Sequence, residues 1–236
     1  MIADNIGMVR QRISDACLAA GRPVQSVTLL CVSKMARASA VRQAHEAGEN
    51  HFGENYAQEG LAKIDALADL RSRLTWHMIG PIQANKTRLI AEHFDWVHSI
   101  DRIKVAMRLN EQRPAGRGPL QVCLQVNVSG ESSKAGVAPA DAGALARAVQ
   151  GLAGLRLRGL MSIPEPVTGL AAQRAVHRAL RALWHDLNLE GMALDTLSMG
   201  MTADLEAAIL EGATLVRVGT AIFGRRESLR SPRGPG

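Results

Sequence analysis

The sequence is poor in residues that build metal sites and disulfide frameworks. Its three cysteines, Cys17, Cys31 and Cys123, are far apart and odd in number, and none belongs to a CxxC pair. We therefore expect no disulfide, no structural zinc and a reducing compartment, the cytoplasm. The histidines form no HExxH motif, and His93 and His98 are five residues apart, which is the wrong spacing for one helix face. We expect no metal site.

Long apolar runs are also missing. No run approaches the ~18 residues that a membrane-spanning helix needs, so we expect no contact with a membrane. The chain begins Met1-Ile2-Ala3-Asp4-Asn5, without the basic and then apolar pattern of a secretory signal. With 236 residues, 47% hydrophobic and 21% charged, the composition is that of a folded globular protein rather than a disordered one.

Aromatic residues make up only 3% of the chain, although its net charge is +6. A basic protein invites the hypothesis of nucleic-acid binding, but few side chains are available to stack on bases. Half of the excess positive charge lies in residues 225–236, which contain four arginines and one glutamate among Pro, Gly and Ser. We interpret residues 227–236 as a flexible basic tail and expect no nucleic-acid partner.

Helical and strand-like patterns alternate along the rest of the chain. A leading helix is indicated by apolar residues at three- and four-residue spacing from Ile2 to Ala20, and Gly21-Arg22-Pro23 ends it. Eight short apolar strands, each followed by a helix, are predicted at 27–33, 51–53, 74–79, 96–100, 120–128, 155–160, 196–199 and 215–218. This pattern predicts an α/β fold, a single (β/α)8 TIM barrel over residues 1–226. A doubly wound open sheet is the alternative, but no GxGxxG follows the first strand.

Polar residues occur at the ends of these strands, where barrels carry their chemistry. In strand order the end residues are Lys34, Asn55, Gly80, Ser99, Asn127, Met161, Ser198 and Arg217. Lys34 follows its apolar strand without a loop, and a desolvated amine there would form a Schiff base with an aldehyde. The alternative is a surface lysine on a loop.

The loops after the seventh and eighth strands have the composition of a phosphate site, which barrels commonly build there. Gly200 and Gly219 allow the backbone to approach an anion, and Ser198 and Thr220 offer hydroxyl groups. The alternative is that both glycines only shape turns. An aldehyde-trapping lysine together with a phosphate site describes a pocket for pyridoxal 5'-phosphate, with Arg217 beside the pyridine ring.

The sequence resembles the pyridoxal phosphate homeostasis proteins over nearly its whole length. The matching stretches are Val32-Ser33-Lys34, Phe52-Gly53-Glu54-Asn55-Tyr56, Trp76-His77-Met78-Ile79-Gly80 with Gln83, Asn85 and Lys86, Gly159-Leu160-Met161, Ser198-Met199-Gly200-Met201, and Val216-Arg217-Val218-Gly219 through Ile222-Phe223-Gly224. One departure is Thr202, where a serine is more usual; the hydroxyl group is kept.

The resemblance implies a barrel like the N-terminal domain of alanine racemase, with an internal aldimine at Lys34. It further implies ring or phosphate contacts from Asn55, Ser198, Met201, Arg217, Gly219 and Thr220, with His77 lining the pocket. Its implied function is to hold pyridoxal 5'-phosphate and deliver it to apo-enzymes inside the cell, without an established catalytic activity. We expect a monomer.

An amino-acid racemase is the alternative function. It needs a second base that faces the lysine, usually a tyrosine from a partner subunit's extra domain, whereas this chain has one tyrosine, Tyr56, and we expect no second domain. Lys134 follows the fifth strand and is either a second amine for aldehyde capture or an ordinary loop lysine.

Overall fold

Eight parallel strands form a closed barrel in a computed structural model that describes residues 1–130 and 135–224. The strands are Thr28–Val32 (β1), His51–Glu54 (β2), Thr75–Met78 (β3), Trp96–Ile100 (β4), Leu120–Gln125 (β5), Leu155–Met161 (β6), Thr196–Ser198 (β7) and Leu215–Val218 (β8). Each strand pairs with the next in the chain, and β8 pairs with β1 to close the barrel. The predicted (β/α)8 barrel is confirmed.

Helices separate the strands and cover the outside of the barrel. They are Ile2–Ala19 (α1), Ala38–Glu46 (α2), Ala57–Ala66 (α3), Thr87–His93 (α4), Ile103–Gln112 (α5), Pro139–Gln150 (α6), Leu170–Leu189 (α7), Leu205–Leu210 (α8) and Thr220–Phe223 (α9). Among the described residues, no helix is both long and apolar enough to cross a membrane.

The leading helix α1 is the predicted one, and it ends where the sequence indicated. Ile6, Val9 and Ile13 are buried on one face, which packs against α8 and α9. Gly21 adopts φ +64°, a left-handed conformation that glycine adopts without steric cost and that commonly stops a helix.

The fifth strand is shorter than predicted. It ends at Gln125: the N–H of Val126 still donates to the carbonyl oxygen of Met161 at 2.8 Å, but Val126 otherwise makes an isolated bridge with Val137, and the strand does not continue to residue 128. Its apolar–polar alternation also has a different meaning from that of a half-exposed strand, because Cys123 and Gln125 are buried as well. Both faces of a barrel strand are covered, one by helices and the other by the barrel interior.

The two faces of the strands have different chemistry. The outward face joins the helices in one large apolar cluster, whereas Leu30, Val32, Ile79 and Leu215 form a separate small cluster. The buried strand residues also include polar side chains, among them His77, His98, Ser198 and Arg217, whereas branched apolar filling is usual for such barrels.

The three cysteines form no disulfide, as the sequence indicated, and all three are buried. Burial raises the pKa of the Cys123 thiol to about 12, which makes it a poor nucleophile at neutral pH. Two sequence-based hypotheses lie outside the described residues: the second amine at Lys134 and the basic tail at 227–236.

Candidate functional site at the carboxyl end of the barrel

Lys34 lies at the carboxyl end of the barrel, one residue beyond Ser33 and the end of β1. The side chain is exposed, so our expectation of a desolvated amine is wrong for this structure. The next residue, Met35, adopts φ +66°, and its N–H donates to Oε1 of Glu59 at 2.5 Å. This bond holds the loop that carries Lys34 against α3.

A buried charged network supports this loop from below. Glu54, at the end of β2, is fully buried, and its Oε1 accepts hydrogen bonds from Ser33 Oγ at 2.5 Å and Lys63 Nζ at 2.8 Å. Lys63 Nζ also donates to the carbonyl oxygen of Ser33 at 2.6 Å. Burial raises the pKa of Glu54, and the neighbouring Lys63 opposes that shift. The network anchors the backbone immediately before Lys34.

Arg217 lies inside the barrel on β8, only 4% exposed. Its Nη1 donates to the carbonyl oxygen of Ser198 at 2.6 Å and to Ser198 Oγ at 2.8 Å, and its Nη2 donates to the carbonyl oxygen of Ser162 at 2.7 Å. Desolvation lowers the pKa of the guanidinium to about 10, which still leaves it charged at neutral pH. These three bonds use three of its five N–H donors. The other two make no hydrogen bond within the described part of the chain.

Ser198, at the end of β7, is fully buried beneath Arg217. Its hydroxyl oxygen accepts from Arg217 and lies 2.8 Å from Nδ1 of His98 on β4. Strands β4 and β7 are not neighbours in the barrel, so this bond crosses the interior. The Ser198 hydroxyl is therefore already engaged with the arginine rather than open to a phosphate group.

His77 lies deeper, away from Lys34. Its ring stacks on Trp96 at 5.4 Å between centroids, and its nitrogens lie 2.9 Å from His98 Nε2 and 3.0 Å from His51 Nδ1. His51, His77 and Trp96 line a cavity of about 270 Å³ with the first residues of several strands, Thr28 among them. That cavity is at the amino end of the barrel, opposite Lys34.

Gly219 and Thr220 lie where β8 meets the short helix α9, next to β1. A Cβ at Gly219 would lie 3.0 Å from the carbonyl oxygen of Val32, so close packing against β1 already favours glycine there. Thr220 is exposed and begins α9. The other end of α9 is tied to α1, because Nδ2 of Asn5 donates to the carbonyl oxygen of Ile222 at 2.9 Å.

The loop after β7 is turned by Gly200, at φ +89°. A Cβ there would lie 2.5 Å from Ala208 Cβ, so packing on α8 also favours glycine. The N–H of Met201 donates to Oδ1 of Asp204 at 2.7 Å. Asp204 therefore occupies the backbone N–H of Met201 in this structure.

Asn55 follows β2 at the same end of the barrel and is half-buried. It lines a second cavity, of about 210 Å³, together with Tyr56, Gln83 and Lys86. A Cβ at Gly80 would lie 2.2 Å from the Asn55 carbonyl oxygen, so the end of β3 packs directly on this residue. The structure thus brings Lys34, Asn55, Met201, Arg217, Gly219 and Thr220 to one end of the barrel, with Ser198 beneath them and His77 apart.

The sequence matches known proteins over almost its whole length. Residues 5–227 match the family model described as alanine racemase, N-terminal domain. The chain is 64% identical over 226 residues to the pyridoxal phosphate homeostasis protein of Pseudomonas aeruginosa and 50% identical over 227 residues to that of Escherichia coli. Both alignments cover 96% of this chain, and they cover 96% and 97% of the two relatives. The chain belongs to the pyridoxal phosphate homeostasis protein family.

Solved structures agree with membership of the pyridoxal phosphate homeostasis family. PipY of Synechococcus elongatus, solved both without PLP and with PLP bound, superposes with TM-scores of 0.83 and 0.82 at 39% and 38% identity. Both matches cover 95% of this chain and 100% of PipY. Alanine racemase from Corynebacterium glutamicum, at 14% identity and a TM-score of 0.67, shares the fold, and the match covers 60% of that longer chain.

Sequence reasoning missed two networks in this member of the family: the Glu54–Lys63 pair, and the roles of His51 and His98. Glu54 lay inside a stretch quoted for the resemblance, but nothing in its spacing from Lys63 indicated a buried pair. His51, His77 and His98 are on three different strands. Their spacings of 26 and 21 residues indicate no contact until the barrel closes.

Proposed function

We propose that this chain binds pyridoxal 5'-phosphate at the carboxyl end of the barrel, links it reversibly to Lys34, and acts in intracellular homeostasis and delivery of this cofactor to apo-enzymes. The observation that carries the proposal is the closure of the barrel between β1 and β8. Because of it, β1, which leads into Lys34, is the neighbour of β8, which leads into the segment from Arg217 to Thr220. The name of the curated relatives and the PLP-bound form of PipY support the same conclusion.

Exposure of Lys34 suits a reversible carrier. The cofactor supplies an aldehyde, which condenses with a primary amine to a C=N bond and releases water. Because Lys34 is at an open rim, water also reaches the link and can hydrolyse it back to amine and aldehyde. An exposed link favours release over prolonged retention.

Arg217 fits the ring of the cofactor. Its two unengaged N–H groups can donate to a pyridine nitrogen, but its guanidinium cannot accept a proton from it. A buried positive charge also disfavours a protonated ring nitrogen. Arg217 would therefore keep a bound ring neutral and weakly electron-withdrawing, which would favour holding the cofactor over catalysis.

The remaining contacts divide between ring and phosphate. We assign the phosphate to Thr220, Gly219 and the loop at Met201, and we place Asn55 beside the ring. Ser198 and His77 are given no contact with the cofactor, because the first is fully engaged below Arg217 and the second lines the opposite cavity. Their proposed role is to support Arg217.

The link to Lys34 is tested with Lys34→Arg, which keeps the positive charge but has no primary amine. We expect the purified protein mixed with cofactor to absorb near the border of the visible and ultraviolet, and borohydride to fix the label on the peptide that contains Lys34. Lys34→Arg should lose the label and keep weaker, phosphate-driven binding. The matched control Lys104→Arg, exposed on α5, should behave as the unmodified protein. Labelling mainly at another lysine would refute the assignment.

The racemase alternative is separated from the carrier by measuring two rates on the same preparation. The loaded protein is incubated with a panel of amino acids, while racemisation and transfer of cofactor to an apo-enzyme are both followed. We expect transfer without appreciable racemisation. Racemisation at ordinary enzyme rates, on the order of 1–1,000 per second, would overturn the carrier proposal.

A further inference from the structure

Three histidines form a continuous hydrogen-bonded chain through the barrel interior. His51, His77 and His98 lie on β2, β3 and β4, and the two contacts between their rings are 3.0 Å and 2.9 Å long. The chain continues from His98 to Ser198 at 2.8 Å and from Ser198 to Arg217 at 2.8 Å. It connects the cavity at the amino end with the arginine at the carboxyl end.

The two inner rings are neutral. His77 and His98 are fully buried, and desolvation lowers both pKa values, that of His98 to about 3 with a further contribution from Arg217. A neutral imidazole has one N–H and one acceptor nitrogen. Since both nitrogens of each inner ring are engaged, the three bonds that link Ser198, His98, His77 and His51 must point the same way.

The charge of Arg217 selects the direction. If each N–H pointed toward the carboxyl end, the positive ends of the imidazole dipoles would face a buried cation. In the opposite direction, Ser198 donates to His98 Nδ1, His98 Nε2–H donates to His77, and His77 Nε2–H donates to His51. The Ser198 oxygen then presents its lone pairs to Arg217, which is the favourable arrangement.

We propose that His51, His77 and His98 are positioning residues that act as a directional relay, holding the Ser198 hydroxyl as an acceptor for Arg217 and coupling the guanidinium to the cavity at the amino end. Any effect of this relay on a bound cofactor, through Arg217, rests on the function proposed above. The relay itself is a property of the protein without ligand.

The free end of the relay is His51. It borders the cavity. Burial lowers its pKa and Arg10 lowers it further, whereas Glu49 and Asp95 oppose the shift. Protonation would put a hydrogen on both of its nitrogens. His51 would then donate to His77 and force the three bonds between Ser198 and His51 to reverse. Ser198 would then accept from both His98 and Arg217.

Long-range ¹H–¹⁵N correlation of the imidazole rings tests the relay in the cofactor-free protein. At neutral pH we expect His77 and His98 to be Nε2–H tautomers. On acidification, both rings should switch from the Nε2–H to the Nδ1–H tautomer at the pH at which His51 titrates, although both rings stay neutral. The ¹⁵N chemical shifts of their two nitrogens report this switch. Finding either ring as the Nδ1–H tautomer at neutral pH, or shifts that ignore the titration of His51, would overturn the proposal.

Substitution at the free end gives the matched comparison. His51→Phe should abolish the acid-induced exchange at His98, whereas His185→Phe, on the exposed face of α7, should leave it intact. With cofactor present, the dependence of its Kd on pH should be flatter in His51→Phe than in the control. If His51→Phe still binds cofactor and the pH dependence of its Kd matches that of the control, only the coupling between the relay and the cofactor is refuted. If neither the unmodified protein nor any variant binds cofactor, the proposed function is refuted.

Discussion

At the scale of single residues, the Glu54–Lys63 pair shows how a buried charge serves the site without touching a ligand. Both side chains are buried, and Lys63 Nζ donates to Oε1 of Glu54 and to the carbonyl oxygen of Ser33. A buried pair of this kind adds little net stability over an apolar pair, but removal of one partner leaves an uncompensated charge in the interior. The geometry next to Lys34 therefore depends on both partners.

We expect Lys63→Met to lower the free energy of unfolding by about 3–5 kcal/mol, because Glu54 would remain buried and unpaired. The double variant Glu54→Gln with Lys63→Met should recover part of that loss. Urea denaturation measures both values. Asp69→Asn, which breaks an exposed pair with Arg42, is the control and should leave unfolding unchanged. A Lys63→Met protein as stable as the control would contradict the expectation.

At the scale of elements, the short helix α9 joins the leading helix to the site. Its start is at Thr220 beside β1, and its last turn is held by Asn5 of α1. Glycine at 219 is favoured by close packing on the backbone of Val32, so a bulky substitution there also strains the barrel and does not isolate a ligand contact. The exposed hydroxyl of Thr220 is the cleaner probe.

Thr220→Val removes that hydroxyl while keeping the size and β-branching of the side chain. We expect the Kd for pyridoxal 5'-phosphate to rise about tenfold, the value of one hydrogen bond to a charged group, with Thr220→Ser restoring it. Binding of pyridoxal, which has no phosphate, should not change. Fluorescence or absorbance titration measures both Kd values. An equal rise in the Kd of both ligands would place Thr220 outside the phosphate site.

At the scale of the whole molecule, the barrel interior contains a hydrogen-bonded chain of histidines where such barrels usually have apolar side chains. Such a core is stable only while its rings are neutral, since a charged imidazole would be desolvated beside Arg217. An unfolded histidine has a pKa near 6.5, whereas that of His98 in the fold is about 3. Below about pH 6.5, His98 therefore binds a proton in the unfolded chain but not in the folded one.

The contribution of these neutral histidines to the free energy of unfolding should therefore be complete above about pH 6.5 and be lost as the pH falls toward 3. The expected slope is up to about 1.4 kcal/mol per pH unit for each such histidine. Urea denaturation at a series of pH values measures the slope. His98→Asn should flatten it even if the variant is less stable at neutral pH. His185→Asn, at an exposed position, should leave it unchanged. Equal slopes in all three proteins would contradict this account.

The sequence by itself determined the order of elements and one side of the site. Helix and strand periodicities are local signals, so the alternation and the leading helix could be predicted directly. Lys34, and the segment from Arg217 to Thr220, directly follow or end apolar strands, and barrel topology alone brings such ends together. The end of β5 was misjudged because its alternation continues beyond the last residue that its neighbours can pair.

Only the tertiary structure decided which side chains meet inside the barrel. Both faces of each strand are buried, so the sequence does not reveal which residues point inward. His98 and Ser198 are 100 residues apart and on non-adjacent strands, and their contact depends on closure, register and twist together. The same is true of the exposure of Lys34, which the Met35 turn and its bond to Glu59 determine. Local patterns report which elements form, whereas contacts across the barrel depend on how all eight strands are assembled.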